Sequence, residues 1–387
     1  MSRLARLRRA AGQLVWVGFE GPTAPRALLD RIAIGEVGGV VLFGRNLVAR
    51  EGVHGPETDV HALVALNREL ASAAPPDQPL LLCVDQEGGR VQRLRAPATR
   101  WPPMDRLGVL ATRDPDAAAA LARDVGRALG TELAAVGFDV DFAPVLDVHT
   151  NPANPVIGDR ALATTPALVA LLGRAFAAGL EDGGVLSCGK HFPGHGDTHL
   201  DSHLELPTVA HDVARLDAIE LAPFREVIEL PMLMTAHVVF PALDPDAPAT
   251  MSHVILEDHL RARLGYRGVV VSDDLEMRAI ADHVGVAEAA VRGLRAGCDA
   301  FLVCKTEGLQ LAAMEALVRA ADAEVGLGAR LEQAAGRVST LKARAAGLRT
   351  RPRPSLDVLG TAAHQALATR MAALGQDRPP GIDPTER

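Results

Sequence analysis

Eight short apolar runs, at 14–19, 39–43, 80–84, 138–142, 184–188, 232–235, 268–271 and 300–303, recur along this chain, each followed by a stretch of helical periodicity. The runs are continuous rather than alternating, which is the pattern of parallel strands buried on both faces. The amphipathic stretches lie at 24–34, 60–74, 116–135, 166–180, 213–228, 252–264, 287–296 and 309–321. Eight strands alternating with eight helices predict an α/β chain folded as a (β/α)8 TIM-type barrel. An open doubly wound sheet uses the same alternation. No glycine-rich phosphate fingerprint follows the first run, however, and Gly18, Gly21 and Pro22 do not supply one. A length of 387 residues suits the barrel, because α/β barrels routinely exceed 250 residues as one domain. Past the eighth helical stretch the sequence predicts a further helix at 326–346, a Pro/Arg-rich linker at 350–355 and a last helix at 361–374. From Gln376 the end is polar, carries three prolines and reads as frayed.

Bulk properties narrow the function classes. A net charge of −8 with no long like-charge block gives no electrostatic footprint for nucleic acid. The basic start, Met1 to Arg9, leads into an apolar run too short to span a membrane, with no convincing signal-peptide cleavage pattern. The four cysteines, at 83, 188, 298 and 304, form no CxxC pair and sit in or beside apolar runs. Buried free thiols and a cytoplasmic location are the simplest expectation.

In a barrel enzyme the working residues follow the strands on one face. Polar segments stand at those points: Asp85 to Arg93 after the third run, Asp147 and then Asn154 to Arg160 after the fourth, His237 after the sixth, and Ser272-Asp273-Asp274 after the seventh. After the fifth run comes Lys190-His191-Phe192-Pro193-Gly194-His195-Gly196-Asp197-Thr198-His199-Leu200-Asp201-Ser202-His203, with four of the 13 histidines. Histidines four apart would line one helical face and share a metal, but Pro193, Gly194 and Gly196 break any helix there. With no HExxH anywhere, no metal site is expected. Asp201 and His203, two apart, can point to one side of an extended loop, where the carboxylate would fix the imidazole tautomer and raise its basicity. Polar loop residues bonded to backbone are the plain alternative.

Together these segments, with Gly38 to Asn46 and Met234 to His237, resemble glycoside hydrolase family 3, and within it the single-domain β-N-acetylhexosaminidases. They stand in family order over about residues 12–345, and the Lys-His-Phe-Pro-Gly-His-Gly run followed by Asp-Ser-His is the most specific. The resemblance implies a catalytic barrel over 12–347, leaving 348–387 as a C-terminal extension, helical in part and partly disordered. It implies a retaining mechanism through a covalent glycosyl-enzyme on Asp273. It also puts the acid/base role on His203 with Asp201 as its partner, where a second carboxylate is usual. A histidine suits this role, since its ordinary pKa near 6.5 needs little tuning. Glycines 194 and 196 would let the pair move in with substrate. Sugar binding carries over to Asp85, Arg93, Arg160, Lys190 and His191, a mixture of acceptors and cationic donors suited to hydroxyl groups.

The implied function is a cytoplasmic exo-β-N-acetylglucosaminidase. It would release non-reducing terminal GlcNAc from muropeptides, including those ending in 1,6-anhydro-N-acetylmuramic acid, during peptidoglycan recycling. It would need no cofactor, nucleic acid or membrane and would act as a monomer. Three alternatives stay open: a β-glucosidase of the same family, a GlcNAc phosphorylase, and a non-catalytic sugar-binding barrel. Some neighbouring residues have plainer readings: Arg160 pairing with Asp159 or Asp147, Asp197 competing with Asp201 for His203, His195 and His199 as loop structure, and His237 as pocket wall.

Overall fold

A computed structural model describes residues 2–52, 55–199, 206–350, 352–375 and 383. Eight parallel strands close into a barrel, each hydrogen-bonded to its neighbours in chain order, with the last paired to the first. They are β1 (Val15–Val17), β2 (Gly39–Leu42), β3 (Leu81–Val84), β4 (Val140–Asp141), β5 (Leu186–Phe192), β6 (Met232–Thr235), β7 (Val269–Asp274) and β8 (Ala300–Val303). The seven residues of β5 carry Lys190 and His191 as strand residues rather than loop residues.

Sequence chemistry sets the helix ends that deliver chain to the strands. The helix at Pro115–Val136 starts with proline in its first turn and Asp114 accepting from the Ala117 N–H. It ends at Gly137, whose φ of +102° is left-handed and suits glycine. The helix at Pro166–Gly183 likewise starts on proline and ends on a left-handed glycine, Gly184 at φ +101°, two residues before β5. One apolar cluster fills the barrel interior with alternate strand residues such as Val41, Leu81, Val140, Leu186 and Met232. A larger cluster lies between strands and helices and takes the other residues, including Val40, Leu82 and Leu233. All four cysteines are buried and free. Among the described residues no helix is long and apolar enough to cross a membrane.

Several details differ from the sequence reading. The stretch at 252–264 forms a wide-turn π-helix over Val254–Arg263. The stretch at 213–228 splits into Val213–Ala218 and Ala222–Glu226. The basic start is a helix, Arg3–Leu14, packed on the helices Glu307–Ala323 and Val325–Arg349. Among the described residues, three two-stranded hairpins decorate the loops.

Charge is distributed by function along the barrel axis. At the N-terminal ends of the strands, Asp139 and Asp299 each accept an N–H from a neighbouring strand, Leu82 and Val270 respectively. Each is neutralised by arginine: Asp139 by Arg349, and Asp299 by Arg261, Arg330 and Arg337. These buried acids are fully partnered in structural pairs. The acids at the other end of the barrel face a cavity.

Candidate active site

A cavity of about 490 Å³ opens at the C-terminal ends of the strands, and Asp85, Arg160, Lys190, His191 and Asp273 all line it. Val41, Phe43, Met234 and Leu302 supply apolar surface. Five of the eight residues singled out from sequence thus meet in one place, drawn from four different strand ends. Arg93 packs against two lining residues, 3.6 Å from Asp85 and with its guanidinium 5.7 Å from the Phe43 ring centre. Asp201 and His203 lie outside the described residues.

The centre of the site is a buried chain of charge. Lys190 Nζ reaches Asp85 at 2.6 Å and Glu87 at 2.5 Å. Glu87 in turn accepts two bonds from Arg160, each of 2.8 Å, in the bidentate geometry that arginine favours. Burial opposes the charge on Lys190, but Asp85 and Glu87 outweigh it and hold the ammonium above its ordinary range. Burial likewise opposes ionisation of Glu87, and the two cations overcome it, keeping the carboxyl well below the usual carboxylate range. Arg160 therefore pairs with neither Asp159 nor Asp147. Asp159 is taken by Arg90 at 3.1 Å.

His191 is fixed from behind. Asp147, fully buried in the loop after β4, accepts from His191 Nδ1 at 2.6 Å and from the His191 and His195 backbone N–H groups at 3.2 and 2.6 Å. A carboxylate on Nδ1 sets the tautomer and leaves Nε2 as the nitrogen available to a ligand. His195 also lines the cavity and is more than loop structure. Burial, with His191 beside it, pushes its pKa down to about 4, so its ring is neutral. Thr198 Oγ1 lies 2.9 Å from its Nδ1. Asn154 bridges the two loops: its amide donates to the His195 carbonyl and to Thr198 Oγ1, and its Oδ1 accepts from Val156 and Ile157 N–H. That turn presents Arg160. Asp197 bonds Thr150 and His211, and His199 bonds Asn151. His237 is fully buried, with its ring nitrogens near Thr250 Oγ1 and the Asp274 carbonyl.

The neighbouring acids at the end of β7 have different tasks. Asp273 lines the cavity and its Oδ1 accepts the Asp274 N–H at 2.8 Å. Asp274 turns its Oδ1 to the backbone N–H groups of Glu276 and Cys304, at 3.0 and 3.2 Å, tying β7 to β8. Burial raises the Asp274 pKa to about 7, and the charges of Glu276 and Asp273 add to the rise. A carboxyl raised in the folded state contributes stability that is full below its unfolded pKa near 3.8 and lost as pH rises through 7. Asp274→Asn keeps an oxygen for both amides, so its stability relative to wild type should improve from pH 4 to pH 8 by on the order of 2 kcal/mol. Denaturant titrations of both proteins across that range check this; a pH-independent difference would refute it.

Sequence reasoning passed over Glu87, Asp147 and Asn154 as site residues. One signal pointed to the first: three cations, Arg93, Arg160 and Lys190, were set against Asp85 alone, and buried cations need partners. Among the described residues no group of three or more His, Cys, Asp or Glu side chains is arranged to hold a metal ion.

The family model described as the glycosyl hydrolase family 3 N terminal domain matches residues 6–341. The beta-hexosaminidase of Nitrosomonas eutropha is 42% identical over 279 residues, covering 71% of this chain and 76% of that protein. The glycoside hydrolase family 3 beta-N-acetylglucosaminidase of Paenibacillus superposes with a TM-score of 0.85 at 40% identity, covering 95% of this chain and 68% of that one. NagZ from Neisseria gonorrhoeae, solved in complex with N-trifluoroacetyl-D-glucosamine, gives 0.74 at 34% identity, covering 93% of this chain and 97% of that one.

Proposed function

The chain belongs to glycosyl hydrolase family 3, and from that premise we propose that it is a retaining exo-β-N-acetylglucosaminidase with Asp273 as nucleophile. The observation that carries the reading is the convergence of Asp273 with the Asp85–Lys190–Glu87–Arg160 chain and His191 around one cavity. A terminal sugar seated against those groups meets both acceptors and donors for its hydroxyls, and Asp85, Arg93, Arg160, Lys190 and His191 are the residues assigned to hold it.

In the first step the Asp273 carboxylate attacks the anomeric carbon and the bond to the leaving oxygen breaks, with a proton delivered to that oxygen. In the second, water loses a proton and displaces Asp273, so the β configuration returns. Asp273 is suited to this because its neighbour Asp274 is committed to backbone amides. The proton carrier is assigned to His203 with Asp201, on the sequence pattern alone. The natural substrates proposed are muropeptides with a terminal GlcNAc, including the 1,6-anhydro-N-acetylmuramic acid type, in peptidoglycan recycling in the cytoplasm. The residues themselves favour a small carbohydrate.

The test is hydrolysis of aryl β-GlcNAc, with the product anomer read by NMR at early times. β-GlcNAc formed first supports retention; α-GlcNAc formed first rules it out. His203→Ala should lose about 100-fold or more on a disaccharide, and far less on a dinitrophenyl glycoside whose leaving group needs no proton. Equal losses on both substrates would remove His203 from the acid role. Repeating the assay in phosphate and looking for sugar 1-phosphate separates hydrolysis from phosphorolysis.

A further inference from the structure

We propose that Lys342 is a carbamate-forming site, where the side-chain amine adds carbon dioxide at the floor of a second cavity. That cavity, of about 500 Å³, lies between the helices Arg3–Leu14 and Val325–Arg349 and the turn that leads into β3. It shares no lining residue with the sugar cavity. Arg6, Arg9 and Gln13 line it from the first helix, Asp77 from the turn, and Glu332 and Lys342 from the second helix. Only three of the chain's 40 lysine and arginine residues are lysines, at 190, 305 and 342. Lys190 is held as an ammonium by two carboxylates, and Lys305 is exposed. Lys342 is 4% exposed and forms no ion pair among the described residues. Its polar partner is a neutral one, Gln13 Oε1.

An ammonium brings three N–H groups and a full charge, and here it meets a single acceptor without charge. The Gln13 amide donates to the Gly35 carbonyl at 2.9 Å, which keeps its Oε1 turned toward Lys342. Burial disfavours the ammonium and Arg349 repels it; together they outweigh Asp139 and bring its pKa down to about 7. Asp139 is itself paired with Arg349. The nearby Cys83 thiol is pushed up by burial and carries no charge near neutral pH. Of the acids lining the cavity, Asp77 is bound by Arg9, and Asp77 and Glu332 are both exposed. A desolvated amine of this kind is a nucleophile. Its lone pair attacks the carbon of carbon dioxide, one C=O π pair moves onto oxygen, and one proton on nitrogen passes to water. The product nitrogen carries one N–H, matching the one acceptor. Its new carboxylate turns Arg349 from a repulsive neighbour into an attractive one, and Arg6 and Arg9 line the same cavity. Carbon dioxide suits the site because it enters small and uncharged, and the cavity leaves room for the added atoms that a packed core would deny.

The test is to equilibrate the full chain with ¹³C-labelled carbon dioxide and bicarbonate near neutral pH, trap carbamates with triethyloxonium, and map the ethyl carbamate by peptide mass spectrometry. Lys342 should carry about tenfold more adduct than the exposed Lys305, because its amine is uncharged where an ordinary lysine is protonated. Lys190, whose ammonium is stabilised by Asp85 and Glu87, should carry none. At fixed dissolved carbon dioxide, occupancy of Lys342 should climb as pH rises through about 7, where the ammonium gives up its proton. The unfolded chain offers only an ordinary ammonium at 342, so carbon dioxide should raise Tm relative to chloride at equal pH and ionic strength. Lys342→Met should abolish that rise while hydrolysis of aryl β-GlcNAc is unchanged, since Lys342 is remote from the sugar cavity. No adduct on Lys342, or equal adduct on Lys305, overturns the proposal. So does a rise in Tm that persists in Lys342→Met, which would put the carbon dioxide elsewhere. Labelling of Lys342 by trinitrobenzenesulfonate without a carbamate would show a reactive amine and overturn the assignment to carbon dioxide. Should Lys342→Met fail to fold, the peptide map of the wild type decides alone.

Discussion

Asp273→Ala should lower kcat for an aryl β-N-acetylglucosaminide by about four orders of magnitude or more, with little change in stability. Asp273 lines the cavity at the end of β7 beside Asp274 and Glu276, and Glu276 accepts the backbone N–H groups of Lys305 and Thr306. Asp274, the nearest, holds the backbone N–H groups of Glu276 and Cys304. Asp85 and Glu87 are engaged with Lys190. On the proposed assignment, removal of the Asp273 side chain also leaves a gap of carboxylate size on the α face of the sugar. Azide entering that gap should restore turnover with an activated leaving group and give the α-glycosyl azide. Azide attacking from the side that Asp273 occupied inverts the centre once. High residual activity in Asp273→Ala, with Asp274→Ala inactive, would exchange the two assignments.

Much of this was legible in sequence, for identifiable reasons. The runs beginning at 39, 80, 232 and 300 coincide with β2, β3, β6 and β8 to within a residue, because strands buried on both faces demand unbroken apolar stretches, while the run at 268–271 starts β7, which continues three residues further to Asp274. β5 ran on to Phe192 past its apolar run because its end is built of Lys190 and His191, polar residues that pattern reading assigns to a loop. The helix at Arg3–Leu14 was obscured by its arginines, although Leu7, Ala11 and Leu14 supply a helical stripe. The five singled-out residues that line the cavity follow strand ends in chain order, which is what made them visible in the sequence. Their pairings were not. Glu87 meets Arg160 across 73 residues and Asp147 meets His191 across 44, and only barrel closure brings those loops together. His195 shows the same limit: a neutral ring facing the cavity looks, in sequence, like any loop histidine.

One of the residues that pattern reading passed over, Glu87, gives the second large effect. Glu87→Gln should destabilise the protein by about 3–5 kcal/mol near neutral pH and raise KM at least tenfold. Glutamine keeps the shape of glutamate, so the change is one of charge. Glu87 is 2% exposed and is the shared partner of Arg160 and Lys190. Without its charge two buried cations are left with Asp85, which already holds Lys190 at 2.6 Å. Repulsion then moves Arg160 or Lys190 away from the positions from which they line the cavity, so binding and folding should suffer together. The pH dependence identifies the cause. A carboxyl depressed in the folded state contributes stability that is full above its unfolded pKa near 4.5 and is lost as pH falls below it. The difference between wild type and Glu87→Gln should therefore be constant above about pH 5 and shrink steadily toward pH 3. Chemical denaturation of both proteins between pH 3 and 8 reads it directly. A stability difference that is the same at pH 3 as at pH 7 would mean that Glu87 acts by shape, and equal stability throughout would mean that Lys190 and Arg160 do not depend on it.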